Sequence, residues 1–191
     1  MSTQEVAPTL LLEAGGTNFA YRIIGSPMPA LAPLLLLNHF RSTINLWDPL
    51  LVDALVQNGI QVFTYDYAGT GHSSGDVKLS IRGFASDLAA FLHALLPTLP
   101  NAIAFVNILG FSIGGYVAQQ LALDAPDLVG KMILAGTGPS SSLSTIGHVR
   151  PMVEVQSAIM TDPPVGAPTI NAFFPPFFPS PNNTDNTIGN A

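Results

Sequence analysis

Gly110-Phe111-Ser112-Ile113-Gly114-Gly115 is the stretch on which the reading of this chain turns. An apolar run, Ile103 to Leu109, precedes it, and its Ile, Val and Phe content is that of a strand buried on both faces. Tyr116 to Leu123 follows, dominated by Ala, Gln and Leu, and favours helix. Run, G-x-S-x-G and helical stretch together predict a strand that reverses at once into a helix around a strained serine. Glycines on either side take away Cβ atoms that would collide at so sharp a bend. The serine hydroxyl is then presented at the strand tip, and the helix N-terminus lies beneath any negative charge that forms there.

Working outward, the same alternation continues in both directions. Thr9 to Glu13 and Phe19 to Ile24 predict two short strands joined by Gly15-Gly16-Thr17-Asn18, which is hairpin chemistry. Leu34 to Leu37 is an apolar strand ending at Asn38-His39-Phe40-Arg41. Asp48 to Gln57 has apolar residues at helical spacing, with Asp48 as N-cap and Pro49 at the first helical position, and Asn58-Gly59 ends it. Gln61 to Tyr65 predicts a strand that runs into a glycine-rich loop, Asp66 to Gly75. Ser80 caps an amphipathic helix reaching Leu96, with Phe84, Leu88, Phe91, Leu92 and Leu95 on one face. Lys131 to Ala135 reads as another buried strand. The order strand, helix, strand, helix, strand, helix, strand predicts an α/β fold. Its doubly wound sheet is mostly parallel, with helices on both faces and the antiparallel hairpin at one edge.

After Gly136 the pattern changes. Val149 to Met160 is a weak helical stretch, and prolines from Pro163 to Pro181 then break any regular element. Phe173, Phe174, Phe177 and Phe178 lie among them and either cover an apolar site or leave an adhesive patch. The expected division is a core over 1–138, the start of a lid over 139–181 and a disordered tail over 182–191.

Composition excludes several function classes. Of the 191 residues 48% are hydrophobic and only 9% charged, a surface poor in charge. Net charge is −6 with six Lys and Arg, so neither a nucleic-acid footprint nor a polybasic membrane patch is present. The absence of cysteine removes disulfides, thiolate metal sites and a cysteine nucleophile. No signal-peptide pattern opens the chain, and no apolar run approaches the roughly 18 residues of a spanning helix. The expectation is a cytoplasmic protein whose partner is a small-molecule substrate, with no nucleic acid or membrane partner and an oligomeric state left open. No phosphate loop, dinucleotide fingerprint or histidine pair at metal spacing occurs, and no cofactor or metal is expected.

With these motifs in hand, the chain resembles the N-terminal part of an α/β-hydrolase-fold protein of the serine-nucleophile type. That broad group includes lipases, esterases, epoxide hydrolases, dehalogenases and cofactor-free haloperoxidases. Gly110 to Gly115 matches the nucleophile elbow, Asp66-Tyr67-Ala68-Gly69-Thr70-Gly71-His72-Ser73 resembles the family's D-x-x-G-x-G-x-S loop, and Asn38-His39-Phe40-Arg41 resembles its oxyanion turn, with Trp47-Asp48-Pro49 at a familiar distance. The resemblance covers roughly Thr9 to Gly138. It implies Ser112 as nucleophile and the backbone N–H groups of Ile113 and Phe40 as oxyanion donors, with His39 and Phe111 beside the substrate. In the turn, Asn38 stands where the family has His, and His39 where it has Gly.

A serine hydroxyl needs a base, usually a histidine held by a carboxylate. In this family those residues follow the serine in the chain, and nothing here resembles them. His72 reads as a solvated turn residue, His93 as a helix-surface residue, and Asp66 as the holder of the glycine loop. His148, with Glu154 or Asp162 behind it, is the one substitute the chain offers after Ser112. The expectation is therefore a fragment truncated before its acid and histidine, acting on an ester or related acyl bond only weakly, if at all. Two alternatives stay open: a non-catalytic binding fragment, and a haloperoxidase-like activity in a full-length relative.

Overall fold

The computed structural model describes residues 3–28, 31–40, 42–100 and 103–139. The chain divides into Met1–Ser140 and Ser141–Ala191, and the elements below belong to the first unit. The readings made for Val149 to Met160, for His148 and for the lid and tail from residue 140 onward lie outside the described residues.

Leu10–Ala14 (β1) and Thr17–Ile24 (β2) form the hairpin, paired from Leu10 with Tyr21 to Ala14 with Thr17. Gly15 and Gly16, at φ 59° and 82°, make its two-residue turn, a conformation that needs positive φ at both positions. Thr17 and Asn18, expected in that turn, already belong to β2. Leu34–Leu37 (β3), Pro49–Gln57 (α1), Val62–Tyr65 (β4), Ile81–Leu95 (α2), Val106–Phe111 (β5), Ile113–Asp124 (α3) and Val129–Ala135 (β6) follow. Both predicted caps are made: Asp48 accepts from Leu50 N–H at 2.9 Å and Ser80 from Gly83 N–H at 3.0 Å.

The sheet order is β1-β2-β4-β3-β5-β6, with β2 antiparallel to β4 and every pairing from β4 to β6 parallel. Each face carries helices. On one, Ile24, Leu34, Leu36 and Val62 meet Val52 and Val56 of α1. On the other, Phe91 of α2 lies 4.7 Å from the Tyr65 ring and 5.8 Å from that of Phe19. Each such ring pair adds about 0.5–1.5 kcal/mol beyond its buried area. All four residues of β3 and of β4 are buried, which explains the unbroken apolar sequence of β3 and the β-branched and aromatic residues of β4. The fold is the α/β class the alternation predicts.

One boundary differs in an instructive way. The strand expected over Ile103 to Leu109 runs from Val106 to Phe111. Its C-terminal end is carried past Gly110 because Phe111 pairs with Ala135 of β6 and Gly110 with Leu37 of β3. At the opposite edge of the sheet, β6 is written like an interior strand, yet Met132, Ile133 and Leu134 are 39%, 54% and 44% exposed. Among the described residues no helix is long and apolar enough to cross a membrane.

Candidate active site

The site is assembled from the C-terminal ends of β3, β4 and β5. Ser112 sits between β5 and α3 at φ 55° and ψ −117°, the one non-glycine residue at positive φ among the described residues. Such a backbone costs of order 1–3 kcal/mol and persists only where surrounding structure imposes it. Here Ser112 N–H donates to Ala135 O at 2.9 Å, and its own carbonyl accepts from Gly115 N–H at 3.0 Å. The bend is thus tied to β6 on one side and to the first turn of α3 on the other.

The flanking glycines provide space rather than torsional freedom, since none of them has positive φ. A Cβ on Gly110 would lie 2.6 Å from Gly114 O. One on Gly114 would collide with Leu37 O and lie 2.9 Å from Asn38 O, while one on Gly115 would lie 2.7 Å from Thr137 Cβ. The helix start therefore touches the tip of β3 backbone to backbone. That contact brings the turn at Asn38 to Phe40 against the elbow.

The turn is held from below. Asn38 is buried, and its Nδ2 donates to Tyr65 O at 3.2 Å. Tyr67 Oη donates to Asn38 O at 3.3 Å, and burial pushes the Tyr67 phenol far above its ordinary range. The Asp66 carboxylate, fully buried, accepts from Ile44 N–H at 2.7 Å through Oδ1 and from His72 N–H at 3.1 Å through Oδ2. It therefore joins the glycine loop to the segment leaving the turn. Burial raises its pKa, and the two N–H donors oppose that rise. Gly71 lies so close to this carboxylate that a Cβ would overlap it. His72, with its side chain 61% exposed, has its ring 3.9 Å from Asp66 Oδ2.

His39 and Phe111 come together. Their rings stand edge to face, with centroids 5.7 Å apart. His39 Nδ1 lies 2.8 Å from Phe40 O. Both residues line a cavity of about 380 Å³ with Asn38, Trp47, Leu51 and Leu109 among its other walls. Ile113 occupies the first position of α3, where the helix offers its N–H no carbonyl. Among the described residues no side chain hydrogen-bonds Ser112 Oγ, and His72 and His93 belong to the glycine loop and to the surface of α2.

Sequence reasoning passed over three participants. Trp47 stands out in the sequence only for its spacing after the turn, yet it forms a wall of the cavity. Tyr67 reaches across to the turn from the loop after β4, and nothing in its local sequence signals that reach. The bond from Asp66 to Ile44 N–H depends on how the chain leaves β3, which local pattern does not encode.

Residues 32–160 match the family described as the alpha/beta hydrolase fold. Rhodomycin D methylesterase DnrP of Streptomyces peucetius is 39% identical over 100 residues, 52% of this chain and 33% of that protein. An alpha/beta hydrolase fold protein from Chitinophaga pinensis superposes with a TM-score of 0.66 at 31% identity, covering 84% of this chain and 54% of that one. The esterase EaEST from Exiguobacterium antarcticum does so with a TM-score of 0.63 at 25% identity, covering 79% and 54%. This chain thus spans about a third to a half of the length of these relatives.

Proposed function

This chain belongs to the alpha/beta hydrolase fold family, and from that premise we propose that it carries the nucleophile half of a serine hydrolase acting on an ester or related acyl bond of a small molecule. Ser112 Oγ attacks the carbonyl carbon, and the N–H groups of Ile113 and Phe40 receive the oxyanion. The observation that carries the reading is the positive φ of Ser112 at the junction of β5 and α3. A strained serine kept where glycine would be easier indicates that its hydroxyl is in use. The turn at Asn38 to Phe40, held on Gly114, supplies the second donor, and the cavity beside His39 and Phe111 receives an apolar part of the substrate. The methylesterase and esterase relatives support the ester class.

Proton removal is the limiting element. Among the described residues none hydrogen-bonds Ser112 Oγ, and a serine hydroxyl needs a base to take its proton. The described residues by themselves are expected to supply no more than roughly the 10³- to 10⁴-fold acceleration that binding and oxyanion donors leave to a triad lacking a member. A histidine backed by a carboxylate, brought against Ser112, restores the rest.

A second reading rests on β6, whose exposed Met132, Ile133 and Leu134 form an apolar edge. On that reading the chain is a non-catalytic interaction module.

Incubation with a fluorophosphonate probe, followed by peptide mass spectrometry, separates these readings. Slow labelling confined to Ser112 and absent from Ser112→Ala is the expected result. No labelling of folded protein over hours at millimolar probe overturns the nucleophile and favours the interaction module. Complete labelling within minutes at micromolar probe overturns the missing base.

A further inference from the structure

His39 occupies the position where the resemblance has glycine, and its ring is oriented by a bond that fixes its tautomer. Nδ1 lies 2.8 Å from Phe40 O. A carbonyl oxygen only accepts, so Nδ1 carries the proton. In the neutral ring Nε2 is then a pure acceptor, and it has no protein partner among the described residues. The ring lies between the two residues nearest the proposed chemistry. It precedes Phe40, which supplies an oxyanion N–H, and it stands edge-on to Phe111, which precedes Ser112.

Asn38, Ser42 and Asp48 also line the cavity, each with a polar side-chain atom already bonded to backbone, and Trp47 Nε1 is a buried donor without a partner among the described residues. Trp47, Leu51, Leu109 and Phe111 give the cavity an apolar lining, and its volume of about 380 Å³ falls within the range of small-molecule sites. In such a site an acceptor with no protein partner selects strongly, because a ligand without a matching donor leaves it desolvated and unpaired. We infer that His39 Nε2 is a specificity-determining acceptor, and that the substrates taken here are apolar acyl compounds bearing an O–H or N–H close to the scissile carbonyl. The Nδ1 bond to Phe40 O positions that acceptor. This inference rests on the reading of Ser112 and Phe40 only for where the carbonyl lies.

Methyl mandelate and its O-methyl ether test it, since they differ only in whether the α-oxygen donates. Trp47 is the sole tryptophan and lines the cavity, so its fluorescence reports occupancy. Titrations in the Ser112→Ala background require no chemistry. Methyl mandelate is expected to bind about 2- to 10-fold more tightly than the ether. The ratio falls to about one in His39→Phe and is partly restored in His39→Gln, whose amide oxygen accepts. Equal affinities in the parent, a ratio that survives His39→Phe with native near-ultraviolet circular dichroism, or no response to either ester overturns the inference. An intact ratio in a protein that no fluorophosphonate labels sinks the nucleophile and leaves this acceptor standing. Labelling at Ser112 without the ratio does the reverse.

Discussion

Gly114→Ala isolates the contact that brings the turn at Asn38 to Phe40, proposed to carry an oxyanion donor, to the bend at Ser112. The added Cβ would collide with Leu37 O and lie 2.8 Å from Leu37 C and 2.9 Å from Asn38 O, against an ordinary contact of at least 3.4 Å. All three are backbone atoms, so no rotamer change makes room, and either β3 or the start of α3 must move by about one ångström. Overpacking of this kind costs about 1–3 kcal/mol, and backbone obstruction on every side puts this case at the upper end. Replacing glycine in a helix returns up to about 1 kcal/mol, leaving a net loss of about 2 kcal/mol. Urea denaturation followed by circular dichroism and Trp47 fluorescence measures it, and the rate of fluorophosphonate labelling measures displacement of the proposed oxyanion donor. Gly16→Ala is the control. Gly16 has φ 82° but nothing within 4 Å of its Cβ, so it carries a torsional cost of about 1–2 kcal/mol and leaves labelling unchanged. If Gly114→Ala stays within about 0.5 kcal/mol of the parent and labels at the same rate, the close-approach reasoning is refuted.

Ser112→Gly is expected to abolish labelling while raising stability by about 1 kcal/mol, the strain released less the entropy glycine adds to the unfolded chain; a destabilised variant contradicts the strain. Asp66→Asn sets an amide NH₂ against one of the two N–H groups the carboxylate now satisfies, and urea titration at neutral pH should show a loss of about 1–3 kcal/mol. Burial raises the Asp66 pKa, so the native state binds that proton more readily than the unfolded chain. The associated stability is present in acid and lost as pH rises through the native pKa. The gap between parent and Asp66→Asn should therefore widen from pH 7 towards pH 4, and a narrowing gap rejects the assignment. Ile133→Lys, at a residue 54% exposed on the edge strand, should lower concentration-dependent light scattering with stability unchanged within about 0.5 kcal/mol; identical scattering shows that β6 is not the adhesive surface.

Much of this architecture is written locally. The elbow is legible because a buried strand, two small-residue positions and a helical stretch coincide within Ile103 to Leu123. The caps at Asp48 and Ser80 are legible because an N-cap needs only a side-chain oxygen a few residues from the N–H it serves. The hairpin is legible from its glycines. What local pattern lacks is pairing partner and reach. Nothing in Leu34 to Leu37 says that β3 lies between β4 and β5. The end of β5 at Phe111 is not legible locally because its last residues are fixed by Leu37 and Ala135, which are distant in sequence. At the site, the Tyr67 bond to Asn38 follows from where strand ends meet in space.

The central placement of β3 also dictates when this molecule becomes a protein. One flank of β3 is satisfied early by β4, but the other waits for β5, so Leu34 to Leu37 keep half their ladder open until Asn107 to Gly110 have been made. Asn107 Nδ2 reaching Ala32 O across 75 positions marks the size of the loop to be closed. Such long-range parallel pairing slows folding to the millisecond-to-second range. On a ribosome adding about 5–20 residues per second, β3 spends several seconds as an unpaired apolar edge. The chain is thus most exposed to misassembly and most in need of a chaperone during the synthesis of α2, before Ser112 exists.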